Sequence, residues 1–80
     1  MEKEKFEAML MLLVPQVVQM IAAHYSCDEM AASKMFYDSG VYSFLEREDT
    51  KLWHMSALTL FYMFEEEKNT GEIVFPEEAS

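Results

Sequence analysis

Glycine and proline are scarce in this chain, two of each among 80 residues. Folds with many tight turns use both as punctuation, so the scarcity disfavours a β sandwich or barrel and favours a few helices. Cysteine occurs once, as Cys27. No internal disulfide can form, and nothing implies an oxidising compartment. Basic side chains are short too: six Lys and Arg stand against fifteen Asp and Glu, a net charge of −9. Nucleic acids and anionic membrane surfaces are both gripped by clustered Lys and Arg, so neither is expected as a partner. A basic protein would suit the charge, although solubility alone accounts for it. The opening Met1-Glu2-Lys3-Glu4-Lys5 is no signal peptide pattern. The apolar run behind it, interrupted by Gln16 and Gln19, reads as too short to span a membrane. The simplest expectation is a cytoplasmic, bacterial-type protein with no cofactor and no metal.

What the chain does have is apolar mass. Hydrophobic residues make up 51% and aromatics 14%, which places it among core-forming sequences rather than disordered ones. Eight methionines point to a core that tolerates irregular packing or to a contact surface that adapts to its partner. Two stretches are apolar almost all the way round a helix: Met9-Leu10-Met11-Leu12-Leu13-Val14 and Leu58-Thr59-Leu60-Phe61-Tyr62-Met63-Phe64. A surface helix normally carries one apolar stripe and one polar face. An 80-residue domain has little interior for a helix that is apolar all round. The surplus is expected to meet a second chain, through Met11, Leu12, Val14, Leu60 and Met63, which lie off the main stripes.

The first helix is predicted over 3–25, with Phe6, Leu10, Leu13, Val17, Met20, Ile21 and His24 in three-four spacing. Pro15 removes a hydrogen bond and either kinks this helix or splits it; a kink is expected, because the periodicity continues across it. Ser26 with Glu29 forms a capping-box pattern, Tyr25 and Met30 stand where a hydrophobic staple would, and a second helix follows over 27–38. Its inner face is Ala31, Ala32, Met35 and Phe36. Gly40 is expected to end it in the left-handed conformation. A third helix over 41–48 turns Val41, Phe44 and Leu45 inward, residues 51–55 form one helical turn or a loop, and Ser56 caps a last helix over 57–68. Asn69-Thr70-Gly71 is a turn and Glu72-Ile73-Val74-Phe75 an extended arm ended by Pro76. The ends, 1–4 and 76–80, are expected to fray.

Chemistry-bearing residues are few. His24, Cys27 and His54 are too few and too irregularly spaced for a metal site; a histidine satisfied by a carboxylate or carbonyl is the plainer reading. Cys27 near a helix start has a physical route to a lowered pKa, but no base, orienting group or oxyanion hole accompanies it. The carboxylate groups Glu46 with Glu48, Glu65-Glu66-Glu67 and Glu77-Glu78 read as solvated faces, or, for the middle group, as an acidic rim. The segment from Tyr42 to His54 gathers Tyr42, Glu46, Thr50, Lys51, Trp53 and His54 and is the most suggestive surface, since Trp and Tyr dominate binding hot spots. Trp53 fits equally as a plug between the third and last helices. Ile73-Val74-Phe75 either pairs with a strand of another chain or packs back over the helices.

The pattern Ser33 to Tyr37, Ser39-Gly40-Val41-Tyr42, Leu45-Glu46 and Asp49-Thr50-Lys51-Leu52-Trp53-His54-Met55-Ser56 resembles small all-helical domains of unknown function in gut-type Firmicutes and related bacteria. The likeness runs over residues 14–67, and Trp53 and the long apolar helix after it depart from it. Some similar short families are encoded beside ADP-ribosyltransferase-like genes, which implies an accessory or antitoxin-like role. No residue role carries over.

The fold expected is therefore all-α, a compact orthogonal bundle of four to five short helices with a short extended C-terminal arm, in one domain. Its core is assigned to Leu10, Leu13, Val17, Ile21, Met35, Phe36, Phe44, Leu45, Leu58, Phe61 and Phe64. The function expected is a non-enzymatic protein-protein interaction module, either a homodimer or the partner of another protein. Its contact residues are Met11, Leu12, Val14, Tyr42, Trp53, His54, Leu60 and Met63. The alternative is a binder of a small apolar ligand between helices lined by methionine and aromatic side chains.

Overall fold

The three-four apolar spacing of the N-terminal third produces one unbroken helix, α1 (Lys3–Tyr25), in a computed structural model that describes residues 2–75. Phe6, Leu13, Val14, Val17, Val18 and Ile21 form its buried stripe. Pro15 lies inside the helix without splitting it. It cannot donate to the Met11 carbonyl, but both residues lie on the solvent side, where water can serve that oxygen. The Gln16 amide nitrogen donates to the neighbouring Leu12 carbonyl at 2.9 Å. Among the described residues α1 is the one helix long and apolar enough, by length and composition, to cross a membrane, so the run is not too short in that sense. A third of the relevant window is buried within the fold (33%).

The turn after α1 departs from the capping-box expectation. Ser26 adopts the left-handed conformation (φ 53°) and ends α1, its N–H donating to the Ala22 carbonyl. Asp28 caps α2 (Glu29–Tyr37) instead, its carboxylate accepting from the Ala31 N–H at 2.8 Å. Two adjacent helices need a residue that reverses the chain between them, and Ser26 is used for that, so capping falls two residues on. Met30 is 82% exposed and staples nothing. Ala32 and Phe36 are buried, Met35 is half-buried, and Ala31 faces solvent.

Gly40 does not terminate α2; it opens α3 (Gly40–Leu45), which is capped by the Ser39 hydroxyl accepting from the Tyr42 N–H at 3.2 Å. α3 ends three residues sooner than expected, and two short 3₁₀ turns, Glu48–Thr50 and Leu52–His54, lead to α4 (Ala57–Thr70). The Thr50 hydroxyl donates to the Phe44 and Arg47 carbonyls, and Leu52 is buried beneath the turns. Ser56 caps α4 as its position predicts, accepting from the Thr59 N–H at 3.1 Å. Gly71 ends α4 at φ 80°, the left-handed region that favours glycine. The helix thus runs to Thr70 rather than Lys68. Pro76 to Ser80, expected to end the arm and fray, lie outside the described residues, as does Met1.

The result is an all-α bundle in which α1 lies against both α2 and α4, and α3 against α4. No strand forms among the described residues. The core draws on Leu13, Val17, Ile21, Phe36, Leu45, Phe61 and Phe64, as expected, and on Val14, Val18, Val41, Leu52, Leu60 and Met63. Leu10, Met35 and Phe44 are partly buried against it, whereas Leu58 is 49% exposed and is no core residue. Val14, Leu60 and Met63 were expected at a contact surface and are buried instead. Leu60 and Met63 face inward because α4 is covered by both α1 and α3.

Candidate functional site

From Ala8 to Ala23 the chain has no charged side chain, although it carries a net charge of −9 overall. α1 buries one stripe of this stretch and turns Ala8, Met11, Leu12, Pro15, Gln16, Gln19 and Ala23 to solvent. Met11 is 76% exposed and Leu12 63%. A soluble acidic protein ordinarily covers its outer helix faces with charge; α1 presents an uncharged face over about four turns.

Beside this face lies an open groove of about 360 Å³ lined by Leu10, Met11, Val14, Pro15, Tyr37 and Tyr42. A smaller hollow of about 160 Å³ shares Val14, Pro15 and Tyr37 with it, extends along α1 to Gln19, and is also lined by Glu29 and Ser33 of α2. The Asp38-Ser39 turn between α2 and α3 brings Tyr37 and Tyr42 together as the groove's wall, edge to face at 4.8 Å. Tyr42 also stands edge-on to the buried Phe36 at 5.5 Å. Burial, then the Glu46 carboxylate, then Tyr37 push the Tyr42 phenol above its ordinary value. The hydroxyl is therefore a neutral donor and acceptor at physiological pH.

The groove unites Met11, Val14 and Tyr42 among the residues assigned to partner contact, and Leu12 is exposed beside it. Val14 contributes as a buried floor. Trp53 and His54 do not line it. Trp53 is half-buried against the core and donates its indole N–H to the Glu48 carbonyl at 3.0 Å. The exposed His54 is held to its own turn by a 2.6 Å contact between Nδ1 and the Lys51 carbonyl. Leu60 is sealed inside. Met63, itself buried, floors a second open hollow of about 440 Å³ with Thr59, Tyr62, Glu66 and Val74. Pro15 and Tyr37 were missed as site residues. Pro15 drew notice only as a breaker, and the signal for Tyr37 was its place one residue before the Asp38-Ser39-Gly40 turn.

His24, Glu65 and Glu67 are engaged within the fold. His24 Nε2 meets Glu65 Oε2 at 3.1 Å and its ring stands edge-on to Phe61, tying the end of α1 to α4. Cys27 is half-buried. Among the described residues no three His, Cys, Asp or Glu side chains gather as metal ligands. The glutamate run is no simple solvated face. Glu65 pairs with His24, and Glu67 accepts from the Gly40 and Val41 N–H groups at 2.8 and 3.1 Å. The arm packs back: Ile73 lies against the core and Phe75 stands edge-on to Phe44 at 5.3 Å.

No family model, no curated protein and no solved structure matches this chain.

Proposed function

We propose that this chain is a non-enzymatic protein interaction module whose binding face is the outer side of α1 with the tyrosine-walled groove beside it. The observation that carries the reading is an uncharged helix face, with Met11 and Leu12 largely exposed, on a protein that is otherwise strongly acidic. Exposed apolar faces rimmed by polar residues mark contact sites. Methionine adapts its shape to a partner, and tyrosine offers a rigid apolar face with a polar tip. Leu12 and Met11 act as anchors, and Tyr37 and Tyr42 as the wall against which a partner side chain rests. Low positive charge disfavours nucleic acid as the partner. The resemblance of residues 14–67 to small bacterial helical domains agrees with an accessory, antitoxin-like role in the cytoplasm.

The test compares wild type with Leu12→Glu as baits in an extract of the native host, alongside light scattering of the pure proteins. The module reading expects the wild type to engage a partner, itself or another protein, and Leu12→Glu to lose it while its circular dichroism is unchanged. Equal behaviour of the two proteins would overturn it.

A small apolar ligand in the 360 Å³ groove is the second reading, favoured by a volume within the range of about 300–1,000 Å³ typical of ligand sites. Native mass spectrometry of the freshly purified protein tests it: a retained small molecule supports it, and a bare mass counts against it.

A further inference from the structure

We propose that the groove between α1 and α2 takes a basic amphipathic helix of a second protein. An apolar side chain of that helix rests on the Tyr37–Tyr42 wall, and a cationic one, two turns away, meets Glu29. The inference rests on the interaction-module reading and names the chemistry of its partner.

The groove has two unlike ends. The larger hollow, beside Met11 and Pro15, is walled by Tyr37 and Tyr42. The smaller one continues past Pro15 to Gln19, where Glu29 and Ser33 line it. Glu29, Ser33 and Tyr37 stand at i, i+4 and i+8 of α2, on one stripe of that helix. Met11, Pro15 and Gln19 have the same spacing on α1. The two stripes border a trough that is apolar and aromatic at one end and carries a carboxylate at the other. From Met11 to Gln19 it runs about 12 Å, the rise of eight helical residues. A partner helix that lays one side in the trough covers that distance in two turns.

Charge decides what can fill it. Glu29 carries the only formal charge among the residues lining the two hollows, and none of the six Lys and Arg of the chain lines either. Glu46 lies near enough to Tyr42 to raise its phenol, so the field is negative at the tyrosine end as well. Both ends favour a positive partner over an anionic one. Two copies of a −9 chain repel each other, and a neutral lipid surface would cover Glu29 without a counter-charge.

The acceptors of the trough are open. Glu29 is exposed and makes no ion pair or side-chain hydrogen bond among the described residues. The Gln19 amide and the Ser33 hydroxyl beside it offer further acceptor oxygens. Pro15 has no N–H for the Met11 carbonyl, and both residues line the larger hollow. An arginine suits the Glu29 end, because its planar fork bonds a carboxylate through two N–H groups. Leu12, exposed on the row beside the trough, adds apolar contact.

The probe is an acetylated alanine-glutamine helix with two leucines one turn apart and an arginine seven positions after each. A control peptide has glutamine in place of both arginines. Titration into the isotopically labelled full chain, followed through amide shifts, reads site and affinity together. The arginine peptide should bind with a Kd of about 10–1,000 µM and shift the amides of residues 14–19 and 29–37. The control should bind about tenfold more weakly, and sodium chloride should weaken the arginine peptide alone. Glu29→Gln should weaken the arginine peptide about threefold, as fits an exposed carboxylate. Removing the arginines should then cost less against Glu29→Gln than against wild type, which isolates the pairing.

Equal affinity of the two peptides for wild type, binding of neither, or an arginine preference undiminished in Glu29→Gln overturns the inference. The module reading then stands or falls by the Leu12→Glu comparison in host extract. Self-association that Leu12→Glu abolishes, with no peptide bound, also overturns the inference and spares the module. An α1 face that binds phosphatidylcholine vesicles and neither peptide nor protein overturns both.

Discussion

The two apolar runs look alike as sequence and end in different places. In the second, α4 buries Leu60, Phe61, Met63 and Phe64 and turns out Leu58 and Tyr62, the latter with a hydroxyl that water can bond. In the first, α1 buries only Leu13 and Val14 and leaves Met11 and Leu12 in solvent. The composition of the runs does not explain this. α4 is enclosed by α1 on one side and α3 on another, with the side chain of Ile73 from the arm also packed on the core. The run of α1 is covered on its inner side alone. A run that is apolar all round thus becomes core or exposed surface according to whether neighbouring elements cover it on more than one side.

The largest expected effect tests that difference directly. Phe61→Ala removes a nearly buried ring that stands edge-on to His24 and should cost about 3–5 kcal/mol of stability. Leu12→Ala, in the other run, should change it by no more than about 0.5 kcal/mol when measured on dilute protein. Urea denaturation of both variants reads the two numbers. Comparable losses would show that the first run is packed after all and would remove the contrast between the runs.

Pro15 belongs to the open run, and its replacement sharpens the comparison. Pro15→Ala restores a helical donor at a position that already has helical backbone, so it should stabilise the fold by about 1–3 kcal/mol. If that residue is kept for contact rather than for stability, the same variant should bind the arginine peptide more weakly. A melt of the free protein and a titration with the peptide separate the two effects. A stabilised variant that binds as well as wild type would detach Pro15 from the interface.

The corner between α3 and α4 is the opposite of the open face, because its polar groups are answered within the chain. The first three N–H groups of α3 are all bonded: Gly40 and Val41 to Glu67, Tyr42 to the Ser39 hydroxyl. Glu67→Ala should cost about 1–2 kcal/mol by stranding two helix N-terminal donors. A Cβ on Gly40 would sit 2.7 Å from Ile73 Cδ1 and 2.8 Å from Glu67 Oε2. Both atoms are side-chain ends that can yield, but yielding breaks the Glu67 bonds and lifts Ile73. Gly40→Ala should therefore destabilise wild type and cost less in the Glu67→Ala background, a coupling that a double-mutant cycle reads. Additive losses would mean that Glu67 does not hold α3.

These contrasts mark what the sequence could convey. The span Lys3–Tyr25 and the Ser56 cap were legible because both are local: one is a periodicity, the other a hydroxyl ahead of an apolar run. Gly40 was misread because its neighbours are remote. Its reason for lacking a side chain is Glu67, 27 positions on, and the arm beyond it. Ser26 and Asp28 are both good caps, and only the path of the chain between α1 and α2 decides which one serves. Of the residues assigned to contact, Met11 and Leu12 are exposed and Tyr42 walls the groove, and all three are apolar or aromatic side chains near a turn or off the core stripe. Val14, Leu60 and Met63 share the same chemistry, and tertiary cover alone sent them inward.

The smallest expected effect concerns alkaline pH and sets the groove wall against the core. Burial raises the phenol of Tyr42, with Glu46 and then Tyr37 adding to it, and burial raises that of Tyr25, with Glu65 adding to it. In the unfolded chain a phenol loses its proton near pH 10. The folded protein holds the proton to higher pH, so it binds more protons than the unfolded chain across that interval. The stability from these groups is complete below about pH 10 and is lost as pH rises through the folded values. Tyr42→Phe should flatten that alkaline decline, and the difference between variant and wild-type melts from about pH 9 to 11 isolates it from lysine titration, which both share. An alkaline decline that is identical in Tyr42→Phe and wild type would show that the phenol of the groove wall contributes nothing to it.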